Sequence, residues 1–447
     1  MKIKSIAVLA ASALLCAAPA AAYAADLQPM AGSSEVTVSS VADLKDAVAH
    51  TGSYSDLSGT VTIKLAKGGT YELSSTLKVS EGATTLDLNG QTMTCSADYG
   101  ISITGSNVSV VNGTLSGTGV RVNSSDAQGE IRGLTIKNAP DYGVYVQDTI
   151  GSISDCTITK PGSIGINVQG GTVAGDISGN TITESQSTGH GSINLINSAK
   201  VKGKIANNTI RDGKAFGIRG FSKSSCGNIE RNTITGCADH AIQLTGSSTT
   251  KTNDGCTAGD IAYNTIKDCK GHGISLYHGT QVGKITYNTL DTIGGKNSGG
   301  IGDYGITVNS GTPYTCSAKE ITHNTLKNVT YAGIVVFSGP EGDTTGKWQD
   351  NGRVTGDIAY NTVTNSSSYK KGVNWRNTKL ACQGAIYVDS HAWVKGSIHH
   401  NTINTPYDDG INILAYSHVK SIYNNKVKNA KYAGIAVVNS AVVEEGI

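Results

Sequence analysis

The chain has 447 residues, 56 of them glycine and only 3 phenylalanine, with a formal charge of +2 at pH 7. That balance excludes a nucleic-acid binder driven by a strongly basic surface. It also disfavours one large globular core and favours tight, repeated turns around a slim aliphatic one.

Lys2 and Lys4, the apolar run over 6–18 and the small-residue site Ala22-Tyr23-Ala24 read as a secretory signal peptide over residues 1–24. Cleavage near Ala24 predicts a secreted or cell-surface protein and, by removing both lysines, a net charge of zero. Leu15 stands before Cys16, where lipoprotein processing requires a small residue, which argues against a lipid anchor. No other apolar stretch is long enough for a membrane span. Residues 25–60 form an N-terminal segment. Within it, Ser40 followed by Asp43 opens a short amphipathic helix over 41–50, placed to cap the first coil of the repeat region.

From 61 to 447 the chain repeats. Asn89, Asn112, Asn180, Asn208, Asn232, Asn264, Asn288, Asn324, Asn361, Asn401 and Asn425 stand in similar settings, 22 to 24 residues apart where nothing is inserted; Leu134 and Cys156 fill the two missing steps. Many of these asparagines open the pattern Asn-Thr-(Ile/Leu/Val), and a second strand such as Gly273-Ile274-Ser275-Leu276 follows within the repeat. The period is too short for a propeller blade and lacks the 3.6-residue apolar rhythm of helical repeats. It predicts an all-β fold, a single-stranded parallel β-helix (a solenoid) of about 13 coils and roughly 60 Å length. The asparagines are expected to sit in tight turns, tolerate left-handed backbone geometry and stack their amides.

Eight cysteines remain after cleavage. Cys237 and Cys269 occupy matching points of adjacent coils, and Cys226 and Cys256 precede Ile229 and Ile261, so disulfides 237–269 and 226–256 are both expected in an exported protein. Cys156, on a ladder step, reads as a buried free thiol. Insertions at 246–259, 294–303, 338–356 and 366–383 would project as a binding surface. Two of them carry Trp348 and Trp375, and Trp393 follows a strand; all three are candidates for stacking on sugar rings. The final coil shows no counterpart of the N-terminal helix. An open strand edge there would invite pairing, so either a homo-oligomer that covers this end or a chain shortened from a longer parent is expected.

The repeat also acts as a ruler for outward residues. Two before the strand isoleucine stand Phe216, His240, His272 and Tyr304; one after it stand Arg219, Gln243, Ser275 and Thr307. Asp239 and Asp303 flank this row, and Tyr277 and His278 follow one strand. A uronan lyase needs a cation for the sugar carboxylate, a base for the C5 proton and an acid for the departing oxygen, roles that Arg219, His240 or His272, and Tyr304 would fill. Gln243, Tyr277 and His278 would bind substrate. Asp389 and His391, with Asp408, Asp409 and His418 two coils on, form a second cluster fit for an acid/base pair or a divalent cation such as calcium. No cofactor motif is evident, and the metal requirement stays open. Tyr263, Tyr287, His323, Tyr360 and His400 line up beside the asparagines as an edge stack or a glycan surface.

The repeats Gly259-Asp-Ile-Ala-Tyr-Asn-Thr-Ile and Gly356-Asp-Ile-Ala-Tyr-Asn-Thr-Val resemble those of the pectate-lyase-like superfamily, over nearly all of the mature chain. The resemblance implies a right-handed parallel β-helix and a polysaccharide or cell-surface glycan as partner, through a lyase, a hydrolase or a tailspike-like binding rod. Gly271-His272-Gly273 is similar to a polygalacturonase segment, which implies hydrolysis leaning on Asp239 and Asp303. The second acid of that family's pair is His240 here, and its Asn-Thr-Asp and Arg-Ile-Lys motifs are missing from the neighbouring coils. A uronan lyase is the leading expectation, with a non-catalytic adhesin or a glycoside hydrolase as alternatives.

Overall fold

Ser40 starts the only helix longer than one turn among the described residues. Its hydroxyl accepts the Asp43 N–H at 3.1 Å and donates to the Asp43 carboxylate at 2.8 Å, and the helix Val41–Val48 buries Leu44, Ala47 and Val48 over the first coil. A computed structural model describes residues 33–125, 128–247, 253–295, 303–311, 314–339, 351–366, 384–406 and 408–447. The signal peptide, Trp348 and Trp375 lie outside them. Just before the helix, the strand Ser33–Val38 pairs in parallel with Thr60–Leu65, so the N-terminal segment contributes a strand to the rod as well as its cap.

Each regular coil winds through three sides. In one of them these are Thr257–Ala258 with Ile261–Ala262, then Thr265–Cys269, then Ile274–Tyr277. Strands from successive coils pair in parallel, and the described strands form a 36-stranded and a 14-stranded sheet. Alternation sends every second side chain inward. Ile218, Ile242, Ile274, Ile306, Ile334 and Ile386 therefore stack in register at 0% exposure. Burying each contributes about 1.5–3 kcal/mol, repeated along the rod.

The asparagine ladder is present, with a shift of register at its start. From Asn180 to Asn401, each backbone N–H donates to the Oδ1 of the asparagine one coil on at 3.0 Å. The same side chain's Nδ2 donates both to that Oδ1 and back to an isoleucine carbonyl of the preceding coil, as Asn264 does to Asn288 and Ile229. The left-handed residue is not the stacked asparagine but its predecessor: Arg231, Tyr263, Tyr287, His323 and Tyr360 have φ between 55° and 58°. Asn89 and Asn112 carry φ 49° and 58° themselves, and Gly113, not Asn112, pairs with Leu134. Those two asparagines hold the turn rather than a rung. Cys156 substitutes as a rung: its N–H donates to Asn180 Oδ1 at 3.0 Å and its thiol lies 3.8 Å from the Ile131 carbonyl.

The described cysteines are free thiols. Cys237 and Cys269 are buried neighbours, with the Cys269 thiol 3.5 Å from the Lys267 carbonyl. Cys226 and Cys256 lie in adjacent coils before Ile229 and Ile261, but Cys226 pairs in register with Ala258, which sets Cys256 two residues off.

Candidate functional site

In a solenoid the outward residues of a strand face water by default. The 14-stranded sheet departs from that over its middle coils: Ser275 and Thr307 are 0% exposed, Tyr304 2%, Asp303 3% and His272 5%. On the neighbouring sheet the outward threonines 265, 289, 325, 362 and 402 are exposed. Buried polar groups are as a rule hydrogen-bonded; the bonds made around His272 and Arg219 define what this face is built to do.

Ring contacts hold together the row read from the sequence. Phe216 meets His240 edge-on at 5.5 Å, His240 stacks on His272 at 4.2 Å, and His272 on Tyr304 at 5.1 Å. The backbone N–H of His272 donates to His240 Nδ1 at 2.8 Å, and that of Tyr304 to His272 Nδ1 at 2.9 Å. These bonds assign the tautomer of both rings: each Nδ1 spends its lone pair on the next coil, so each neutral ring carries its hydrogen on Nε2. His240 Nδ1 also lies 3.1 Å from Asp239 Oδ1, but a nitrogen already accepting at 2.8 Å has no proton to give, so this is a close approach rather than an ion pair. Both histidines are thereby donors at their outer nitrogens. The base role expected of them is not supported by this geometry.

His272 uses its donor on Tyr277, Nε2 to Oη at 2.9 Å, and the two rings bridge over Ser275. Burial, then the neighbouring His240, drives the His272 pKa well below the ordinary histidine value. Burial likewise raises the Tyr277 hydroxyl above the ordinary tyrosine range. At neutral pH the pair is an uncharged imidazole holding a protonated phenol.

Arg219 occupies the adjoining coil. Its guanidinium lies between Phe216 and Phe221, 5.0 and 4.9 Å from their ring centres. Nε donates to Gln243 at 3.1 Å, and Nη1 to the Gly189 carbonyl at 2.8 Å with His190 Nδ1 at 3.3 Å. Among the described residues no carboxylate stands in ion-pair contact with it, though Asp239 is near enough to act on its charge. Burial lowers its pKa somewhat, and burial followed by the Arg219 charge lowers that of His190, which keeps His190 neutral. His190 is a site residue that the sequence reading misses, though its signal is there: Gly189-His190-Gly191 repeats the Gly271-His272-Gly273 pattern.

Asp239 and Asp303 stand in register two coils apart, about 9.6 Å at one coil per 4.8 Å. Asp239 accepts the His240 N–H at 3.0 Å and Asp303 the Gly295 N–H at 2.9 Å. Gly271 lies between them, and a Cβ there would come within 2.7 Å of Asp239 Oδ1.

Other expected site residues fall elsewhere. His278 is tied to Thr245 at 3.1 Å. Trp393 belongs to the 36-stranded sheet, packed by His418 and Lys395, and does not face this row. Asp389 and the Asp408–Asp409 pair lie one coil apart, not two, and at opposite ends of their strands, since Asp409 registers with Gly384. Asp389 accepts from Tyr387 Oη at 2.7 Å and burial raises its pKa; Asp409 accepts from Asn412 Nδ2 at 3.0 Å. Among the described residues no three His, Cys, Asp or Glu side chains converge as a metal site requires.

Residues 142–315 match the family model described as a right-handed β-helix region. The protein is a right-handed parallel β-helix repeat protein. No curated protein matches the sequence. Among solved structures, it is similar to the catalytic domain of a GH87 α-1,3-glucanase in complex with nigerose, at 12% identity and TM-score 0.43, over 90% of this chain and 66% of that one. The chain thus spans just under two thirds of that relative's length. It is also similar to an alginate lyase in complex with G6, at 11% identity and TM-score 0.31, over 88% and 85% of the two chains. A third is a mannuronic acid specific polysaccharide family 6 lyase from human gut microbiota, at 12% identity and TM-score 0.28, over 91% and 83%. Likeness of this degree is no guide to activity. Among the described residues no helix is long and apolar enough to cross a membrane.

Proposed function

We propose that the protein is a secreted polysaccharide lyase acting on a uronic-acid-containing glycan laid along the outward face of the 14-stranded sheet. The observation that carries this reading is Arg219, a half-buried guanidinium clamped by two phenylalanines and in contact with neutral partners, with Asp239 the nearby carboxylate that acts on its charge without an ion-pair contact among the described residues. A partly desolvated cation without a contacting counter-ion gains from a ligand that supplies one, and the carboxylate of a uronate fits. Neutralising that carboxylate acidifies the C5 proton. The Tyr277 hydroxyl, held by His272, gives its proton to the departing O4 oxygen, while Asp239 takes the C5 proton; the C5–H electrons form the C4=C5 double bond as the C4–O4 bond breaks.

The test is a panel of polyuronates and neutral glycans, followed by absorbance of unsaturated ends and by release of reducing ends. Unsaturated product is expected, reduced on the order of a hundredfold in Arg219→Ala and in Tyr277→Phe. Binding without product would leave a glycan-binding rod and overturn the lyase. Reducing ends without unsaturation would favour hydrolysis by Asp239 and Asp303, which stand in register two coils apart, about 9.6 Å by the coil repeat and just beyond the roughly 6.5–9.5 Å used by inverting carboxylate pairs.

A further inference from the structure

On the other side of the rod, the strands that end in the stacked asparagines carry a second concave surface. Its floor is one outward position per coil, Ala262, Thr286, Thr322 and Ala359 in register, all small and all at or below 9% exposure. One wall is the aromatic stack at the left-handed turn, where Tyr263, Tyr287, His323 and Tyr360 follow at ring-centre distances of 5.0, 4.7 and 4.9 Å. Tyr263, Tyr287 and Tyr360 remain 49%, 46% and 49% exposed, an unusual outlay of large aromatic surface. The opposite wall is Lys284, Glu320 and Asp357. The cavity measures about 270 Å³ and is lined from Thr286 and Tyr287 to Ala359, Tyr360 and His399, with Ala262 and Tyr263 continuing the surface one coil beyond it. The row of small floor residues ends where larger side chains take the position: Glu230, bonded to Lys204 at 2.7 Å, before Ala262, and His399, stacked on Tyr423 at 4.9 Å, after Ala359.

We propose that this trough is a second carbohydrate site, one that takes a short run of neutral, extended hexose units and holds the rod on a polysaccharide independently of the Arg219 face. Three features select that ligand. The one cation on the wall among the described residues, Lys284, is held by Glu320 at 3.0 Å, and Asp357 lies 3.5 Å from the His399 ring, so no cation is left over for an anionic chain. Aromatic rings beside a floor of two alanines and two threonines present the mix of apolar patches and hydroxyls that a sugar ring presents in return. Floor and wall repeat once per coil, about every 4.8 Å, close to the advance per residue of an extended β-1,4-linked hexose chain.

The test uses the full mature chain, with cellohexaose and a galacturonic acid hexamer as probes, read by calorimetry and by chemical shifts of the trough tyrosines. Cellohexaose is expected to bind, and to bind at least tenfold more weakly in the double variant Tyr287→Asn/Tyr360→Asn. Asparagine already fills the same turn position as Asn207 and Asn424, both with positive φ, so that variant keeps its backbone. Ala359→His, which copies His399 into the adjacent coil and fills the floor, should also abolish binding. Arg219→Ala should leave cellohexaose binding unchanged, which separates this site from the proposed lyase face. Absence of cellohexaose binding, binding unaffected by both trough variants, or preference of the trough for the uronate hexamer would each overturn the proposal.

Discussion

A single amide in this molecule serves several coils at once. Asn288 accepts two protons from Asn264 at 3.0 and 2.9 Å, and its own Nδ2 reaches Ile261, Thr286 and Asn324. Asn288→Leu fits the space but strands donors and acceptors on both neighbours, so it should cost about 2–4 kcal/mol, seen as a lower urea midpoint. Asn425→Leu, at the partly exposed last rung, should cost less than about 1 kcal/mol. Histidine gives a pH signature at the same scale. The folded-state pKa of His272 is depressed by burial, so the unfolded chain binds the proton first. The stability it contributes is complete above the unfolded value of about 6.5 and is lost as pH falls from there towards the folded value. His272→Asn keeps an acceptor for the Tyr304 N–H without titrating. Thermal melts from pH 7 to 5 should fall less steeply in that variant than in the wild type. The slope should not vanish, because the pKa values of His190 and His278 are also lowered by burial.

At the scale of one coil, Gly271 shows how a backbone choice sets a site. Any side chain there meets His240 Nδ1 and the Asp239 carboxylate, so Gly271→Ala should displace both while the isoleucine stack beneath holds. Product formation should drop on the order of a hundredfold with circular dichroism unchanged; retained activity would remove Asp239 from the mechanism. Coils were the most legible level of the sequence, since a side chain pointing inward at every second position leaves a direct trace in residue type. The rows Phe216–Tyr304 and Arg219–Thr307 were readable for that reason. The start of the ladder was misread because asparagine suits both the turn and the rung, and type alone does not separate Asn112 from Asn180. Which ring nitrogen of His240 faces the next coil, and that Ser275 lies buried beneath a histidine–tyrosine bridge, depend on side-chain direction that no spacing encodes.

Over the whole rod, stability is a sum of coils and of the contacts between neighbours. The inward Ile435 and Val437 of the last coil are partly exposed, where their counterparts Ile274 and Leu276 are fully buried. Amide hydrogen exchange should therefore be fastest in 422–443 and slowest around 261–290, graded coil by coil; uniform protection along the chain would contradict a sum of neighbours. The ladder adds a property that no single coil possesses. Each stacked Oδ1 faces the coil before it, from Asn180 to Asn425, so the side-chain dipoles do not cancel as alternating strand dipoles do. They add head to tail, in the way peptide units do along an α-helix, and leave the ladder electrically positive at its Asn425 end and negative at its Cys156 end. The solenoid is therefore a poled object, and an anion approaching along the asparagine edge meets two unlike ends.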